Sequence, residues 1–168
     1  MSMKIAVILH DIRSAHNVGS IFRTADAAGV EKIYLCGITP SPVDRFKEVR
    51  SDFGKVALGA EQFIAWEMAT TTESVVKQLK KDGWHIYALE QSHGSVPYYR
   101  TKLDDDSRVA IIVGNEVDGL PPSILKLSDE ILEIPMMGKK ESLNVSVAFG
   151  ILVFGIRFLG VSGKNGNI

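Results

Sequence analysis

Three short segments of the chain place polar residues where a strand-like run gives way to a helix-like one. The first holds Asn17, Gly19, Arg23, Thr24 and Ala25. At about 100° per residue, Arg23 falls opposite the apolar stripe of Val18, Ile21, Phe22, Ala25 and Ala28. Small side chains flank it at Ser20 and Ala27, so a large ligand can reach its guanidinium; an ordinary solvated arginine has the same spacing. The second segment, Gly114 to Gly119, follows an apolar run directly, and its two glycines let backbone approach a ligand closely. Glu116 within it is either a solvated turn carboxylate or the partner of a cation. The third runs from Ile134 to Ala148, with Ser142 and Asn144 at the mouth of a helix whose first N–H groups lack partners. A buried amide left unbonded costs about 1–3 kcal/mol, so Asn144 inside an apolar helix calls for a partner. Strand ends opening into helices are where α/β proteins bind small ligands, which makes this segment a candidate floor.

The elements that must position these residues alternate along the chain. Apolar runs of strand length lie at Lys4–Leu9, Lys32–Cys36, Phe63–Trp66, Trp84–Leu89, Val109–Val113 and Glu130–Ile134. Between them come a helix capped near Ser14 and ended by Gly29, a helical turn at Lys55–Glu61, and a helix at Thr72–Lys81 closed by Gly83. A short helix begins at Pro121-Pro122, and the last helix runs from about Ser142 to Leu159. Gly37–Gly54 reads as a long exposed loop, and Gln91–Ser107, with the acidic run Asp104–Asp106, as irregular. The order predicts an α/β fold: a mostly parallel sheet flanked by helices on both faces, in a single domain spanning 1–168. The last helix is apolar around its whole circumference, so both its faces must be covered. Asn144, Ser146 and Arg157 interrupt it short of the ~20 apolar residues a bilayer requires, so a membrane is not expected. A second subunit on its outer face is expected instead, with Gly150, Gly155 and Gly160 allowing close approach: a homodimer.

Composition narrows the chemistry. Hydrophobic residues make up 45% and charged residues 23%, with a net charge of −1, so no global field draws the chain onto a polyanion. Contact with nucleic acid must then be local, at Arg13, Arg45, Lys47, Arg50 and Lys55. The single cysteine, Cys36, allows no disulfide within the chain and reads as a small core residue. No Cys/His spacing resembles a zinc site and the four histidines match no ligand motif, so no metal is expected. The apolar run Ile5–Leu9 is too short for a signal peptide, and a cytoplasmic location is expected.

Taken together, the three segments resemble the signature motifs of the SpoU/TrmH branch of the SPOUT RNA methyltransferases. N-x-G-x-x-x-R-T-A is met by Asn17, Gly19, Arg23, Thr24 and Ala25, and G-x-E-x-x-G by Gly114, Glu116 and Gly119. I-P-M-x-G-x-x-x-S-L-N-V-S-x-A is met from Ile134 to Ala148. The entry His10 to Asn17 and the stretch Lys55 to Ala60 are also similar to this family's. The resemblance implies a C-terminal trefoil knot, which periodicity would not suggest because knotted folds are rare. It implies an obligate homodimer and S-adenosylmethionine held bent by Gly114, Gly119, Ile134, Met136 and Leu143, with Leu89 beside them.

The reaction it implies is methyl transfer to a ribose 2′-hydroxyl of RNA, with no metal. A guanidinium stays protonated, so Arg23 is assigned to polarising the hydroxyl and binding the adjacent phosphate rather than acting as a base. Asn17 and Glu116 would orient Arg23, and Ser142 and Asn144 would line the acceptor side. With the motifs spread over nearly the whole chain, no appended RNA-binding domain is expected, and the modest charge favours a compact RNA such as tRNA over a long rRNA segment. A catalytically idle RNA-binding dimer on the same fold is the alternative. A nucleotide-dependent oxidoreductase is disfavoured, because the G-x-G-x-x-G fingerprint is missing.

Overall fold

The computed structural model describes residues 3–103 and 107–159. Asp104–Asp106 and Gly160 lie outside the described residues. Seven strands form one sheet in the order β3-β2-β1-β6-β4-β7-β5, and every strand pairing in it is parallel. In chain order they are β1 (Lys4–His10), β2 (Lys32–Cys36), β3 (Ala65–Ala69), β4 (His85–Leu89), β5 (Val96–Pro97), β6 (Arg108–Val113) and β7 (Glu130–Glu133). The helices are α1 (Ala15–Ala27), α2 (Ser51–Ala57), α3 (Thr72–Lys81), α4 (Pro122–Leu125) and α5 (Val145–Leu159).

Alternation along β1 shows how the sheet serves two cores. Ile5, Val7 and Leu9 join one apolar cluster with α1, α2 and α5, while Ala6 and Ile8 join another with α3 and α4. The chain first builds outward from β1 through β2 to β3, then returns to lay β6, β4, β7 and β5 on the other side. The carboxyl ends of β1, β6, β4 and β7 therefore stand side by side next to a reversal of strand order, the usual ligand edge of such sheets.

Several boundaries differ from the sequence expectation. The long loop ends earlier, because Ser51–Ala57 is helical. Phe53, alone among charged neighbours, is fully buried and meets the Phe22 ring edge-on at 5.2 Å. Gly19 allows this approach, since a Cβ there would stand 2.9 Å from the Phe53 carbonyl oxygen. Strand β3 lies at Ala65–Ala69 rather than Phe63–Trp66, set by pairing Lys32 with Ala65 through Cys36 with Ala69. Val96–Pro97 adds a two-residue edge strand, where a proline costs no ladder bond.

Helix α5 begins at Val145, not Ser142, because Asn144 is its cap: its Oδ1 accepts from the Ser146 N–H at 2.9 Å. Its inner face, Phe149, Leu152, Val153 and Ile156, is fully buried, whereas Val147, Phe154 and Phe158 are exposed on the outer face. Arg157 ties the far end of α5 to α1, donating to the carbonyls of Met3 (2.6 Å), Gly29 (2.8 Å) and Ala28 (3.0 Å). Among the described residues no helix is long and apolar enough to cross a membrane.

Candidate active site

A cleft of about 600 Å³ opens at the carboxyl edge of the sheet. Its walls come from Leu89–Gln91 after β4, Val113–Gly119 after β6, Glu133, Ile134 and Met136 after β7, and Glu141–Val145 entering α5. Asn17 of α1 closes one side.

The β6 turn is held by its own side chain. Asn115 Oδ1 accepts from the N–H groups of Val117 (2.8 Å) and Asp118 (3.1 Å), while its Nδ2 donates to the Asp11 carbonyl at 2.8 Å. Gly114 has no room for a side chain, since a Cβ would stand 2.7 Å from the Gly119 carbonyl carbon. Gly119 has φ +67, and a Cβ there would collide with the Glu90 carboxylate.

One chain of hydrogen bonds stitches the three segments together. Asn144 Nδ2 donates to Asn17 Oδ1 at 3.1 Å, and Asn17 Nδ2 donates to Glu116 Oε1 at 2.9 Å. Glu116 also accepts from the backbone N–H groups of Arg13 (3.0 Å) and Ser14 (3.1 Å). Because a carboxylate only accepts, it fixes the Asn17 amide with Nδ2 toward Glu116 and Oδ1 toward Asn144. Partial burial works to raise the Glu116 pKa, yet the hydrogen bonds from Arg13, Asn17 and Ser14 outweigh it and hold the carboxyl below its usual range.

Residues 4–154 match the model of the SpoU rRNA Methylase family. The chain belongs to this family. It is 32% identical over 151 residues to the 23S rRNA (guanosine-2'-O-)-methyltransferase RlmB of Vibrio parahaemolyticus, covering 89% of this chain and 57% of that one. The AdoMet-bound rRNA methyltransferase of Sinorhizobium meliloti superposes with a TM-score of 0.82 at 30% identity, covering 92% of this chain and 56% of that one. A TrmH/SpoU tRNA modifying enzyme of A. aeolicus gives 0.79 at 26% identity, over 95% and 77%. The chain thus spans little more than half the length of the curated relative it matches.

In this SpoU-family fold, Leu89, Gly114, Gly119, Ile134, Met136 and Leu143 all line the cleft, together with Asn17, Glu116, Ser142 and Asn144. Asn144 is not a buried amide of the helix interior; it is exposed at the cap and fully engaged. Arg23 stands apart. It is exposed on α1, outside the cleft lining, and no hydrogen bond or ion pair holds it among the described residues. Within one chain, Asn17 and Glu116 therefore do not orient it. Six residues along a helix turn a side chain by about 240° relative to Asn17, and the three hydrogen bonds to Glu116 come from Arg13, Ser14 and Asn17.

Arg13 sits at the cleft mouth, 3.4 Å from Asp118, in an exposed pair of little energetic weight. Arg45, Lys47, Arg50 and Lys55 do not line the cleft; Arg50 stands 3.4 Å from Asp52, whose carboxyl it pulls below its usual range.

Two residues of the site escaped the sequence reading. Glu90 accepts from the N–H groups of Leu120 (2.8 Å) and Gln91 (2.9 Å), clamping the β6 turn from the β4 side. Its only signal was a carboxylate directly after a buried strand. Asn115 was an unassigned letter within a motif, although asparagine at a strand-end turn is a known loop closer. The 20 residues lining the cleft include five carboxylates, Glu90, Glu116, Asp118, Glu133 and Glu141, and no Lys, Arg or His. Such a cavity attracts a cation and repels phosphate. No group of three or more His, Cys, Asp or Glu among the described residues is placed to hold a metal ion.

Proposed function

We propose that this chain transfers the methyl group of S-adenosylmethionine to a ribose 2′-hydroxyl of RNA. One observation carries the reading: three family motifs, far apart in sequence, converge on an acidic, backbone-walled cleft at the carboxyl edge of the strands. S-adenosylmethionine would supply an already activated methyl on a cationic sulfur. The cleft fits that group in charge, in volume and in its glycine-lined floor. Backbone around Gly114, Gly119, Ile134, Met136 and Leu143 would hold it, with Leu89 at the side, and Ser142 and Asn144 would face the acceptor.

Arg23 has the task of polarising the hydroxyl and binding the neighbouring phosphate, and it serves the cleft of a second copy. Gly150 of α5 lies against Thr24, where a Cβ would stand 3.5 Å from the Thr24 methyl, so α5 packs on the residue that follows Arg23. A copy seated on the apolar outer face, Val147, Phe154 and Phe158, would come up beside this arginine. That homodimer, the C-terminal trefoil knot and a cytoplasmic setting belong to the same reading.

Two observations bear on the RNA and pull apart. Modest charge favours a compact tRNA. Relatives at 30% identity or more include enzymes named for 23S rRNA and one of Mycoplasma pneumoniae named for tRNA/rRNA, and this chain spans only part of them. We take tRNA as the first acceptor to test. Purified protein is incubated with S-adenosylmethionine and either bulk tRNA or rRNA, and nucleosides are then read by mass spectrometry. A new 2′-O-methyl nucleoside in the tRNA pool bears the reading out; one in rRNA alone overturns the tRNA choice. If no methylation occurs in either pool, and no thermal shift with S-adenosylmethionine over NAD, the function itself is lost.

A further inference from the structure

The loop after β2 is not slack. Val43 and Val49 form an antiparallel bridge, Asp44 N–H donates to the Glu48 carbonyl at 2.9 Å, and Arg50 N–H donates to the Pro42 carbonyl at 3.0 Å. The Asp44 carboxylate is turned onto the tip, accepting from the N–H groups of Phe46 (2.8 Å) and Glu48 (3.1 Å). Lys47 takes the left-handed conformation at φ 64 to close the turn. This small hairpin presents Phe46 at 69% exposure, with the Arg45 guanidinium 4.7 Å from its ring centroid.

The hairpin is also tied to the cleft. Ile38 N–H donates to Asp11 Oδ1 at 3.0 Å and Ile12 N–H to Thr39 Oγ1 at 3.1 Å, so its base is fastened to the segment whose Arg13 and Ser14 N–H groups bind Glu116. At the tip, Asp44 is occupied by the turn, while Arg45 and Lys47 form no ion pair among the described residues. Glu48 is the remaining acid there. An exposed aromatic ring flanked by uncommitted cations is suited to a base and its phosphate, which need a flat apolar surface beside positive charge.

We propose that the hairpin Ser41–Arg50 is a stacking finger: Phe46 holds an unpaired base of the RNA while Arg45 and Lys47 meet the adjoining phosphates. This rests on RNA being the acceptor, and it adds that the acceptor region is single-stranded near the modified sugar. A duplex buries its bases and offers Phe46 no face.

The test is fluorescence anisotropy with a labelled oligouridylate of about twelve nucleotides and a duplex of equal length. Phe46→Ala should weaken single-strand binding roughly five- to a hundred-fold and leave duplex binding within about two-fold. Phe46→Trp should retain affinity, with indole emission quenched as the oligonucleotide is added, and Arg45→Gln should reduce the salt slope by about one. Unchanged single-strand affinity in Phe46→Ala overturns the finger. So does unquenched emission from a bound Phe46→Trp complex, or wild-type protein that binds neither strand. A change of molecular mass in Phe46→Ala overturns it as well, marking the tip as a protein contact. Each variant is also titrated with S-adenosylmethionine: absence of that thermal shift in wild type sinks the methyltransferase reading, whereas oligonucleotide binding is read independently of it.

Discussion

Glu116→Ala is the most informative single perturbation, because one carboxylate holds two segments of the site together. Three hydrogen bonds converge on it, from Arg13 N–H (3.0 Å), Ser14 N–H (3.1 Å) and Asn17 Nδ2 (2.9 Å). Bonds to a charged acceptor contribute about 1.5–3 kcal/mol each when shielded, but the Glu116 region is open to water, which can replace part of each. Roughly 1 kcal/mol per bond, about 3 kcal/mol in all, is the expected loss. For a chain of this length that lowers Tm by about 6–12 °C in a thermal melt followed by circular dichroism. Glu116→Gln keeps one accepting oxygen and sets an NH₂ against a backbone donor, so it should lose about half as much. The pH dependence has a definite sign. The folded carboxyl titrates below the unfolded range, so its stabilisation is complete above about pH 4.3 and is lost as pH falls through the lower folded value. The Tm gap between wild type and Glu116→Gln should therefore close in acid. A Glu116→Ala melt within 2 °C of wild type at neutral pH, or a gap that widens in acid, refutes this account.

Arg23→Ala should keep S-adenosylmethionine affinity within about two-fold by calorimetry and lose turnover at least a hundred-fold; wild-type turnover would remove Arg23 from the chemistry. Gly119→Ala places a side chain at φ +67 against Glu90, and should weaken cofactor binding about ten-fold or more in the same titration while the fold persists. Cys36 is fully buried, and burial pushes its thiol up to about 11, so native protein at neutral pH should resist a thiol reagent that labels it after denaturation. If the proposed homodimer uses the exposed face of α5, wild type should scatter light as a dimer and Phe158→Glu should halve that mass without lowering helix content; a monomeric wild type removes the dimer, and an unchanged mass places the interface elsewhere.

How much of this was legible in the residues depended on the range of the forces involved. β2 and α3 fall where the sequence put them, because Lys32–Cys36 is a short apolar run and Thr72–Lys81 is bounded by a threonine cap and a glycine. The cap at Ser14 is likewise local, with its side chain accepting from Asn17 N–H at 3.2 Å. Only the end of α2 was legible, within the helical turn expected at Lys55–Glu61; its start was not, since Phe53 is buried there against Phe22 across the core. β3 is an exposed edge whose register comes from backbone pairing with β2, so the apolar run Phe63–Trp66 marks only its start. At the site, the motif letters gave the residues but not their links. Asn17 meets Glu116 across 99 positions and Asn144 across 127, distances at which only the assembled sheet brings partners together. Glu90 is the extreme case, a clamp defined by the backbone of Leu120, whose own side chain reveals nothing.

The charge layout constrains how the acceptor approaches. Five carboxylates around the cleft attract a cationic donor, and they turn away the phosphates on either side of any ribose. In the proposed reaction the neutral sugar hydroxyl would enter, and the strand that carries it would be gripped from outside. Cations placed for that grip include Arg13 at the mouth, Lys139 and Lys140 between cleft-lining Met136 and Glu141, Arg23 on α1, and Arg45 and Lys47 on the hairpin. None lines the cavity, which would be a defect if one chain had to do everything. In the proposed dimer it is a division of labour: one copy's cleft holds the donor, and the other copy's α1, beside the shared α5 face, brings the guanidinium to the anion. High salt should then weaken RNA binding, with the shallow slope expected of few phosphate contacts, and weaken donor binding less, because RNA contact releases several counterions while the donor presents one sulfonium charge. Equal loss of both with salt would mean that donor and RNA share a single electrostatic site, and the two-sided arrangement would have to be abandoned.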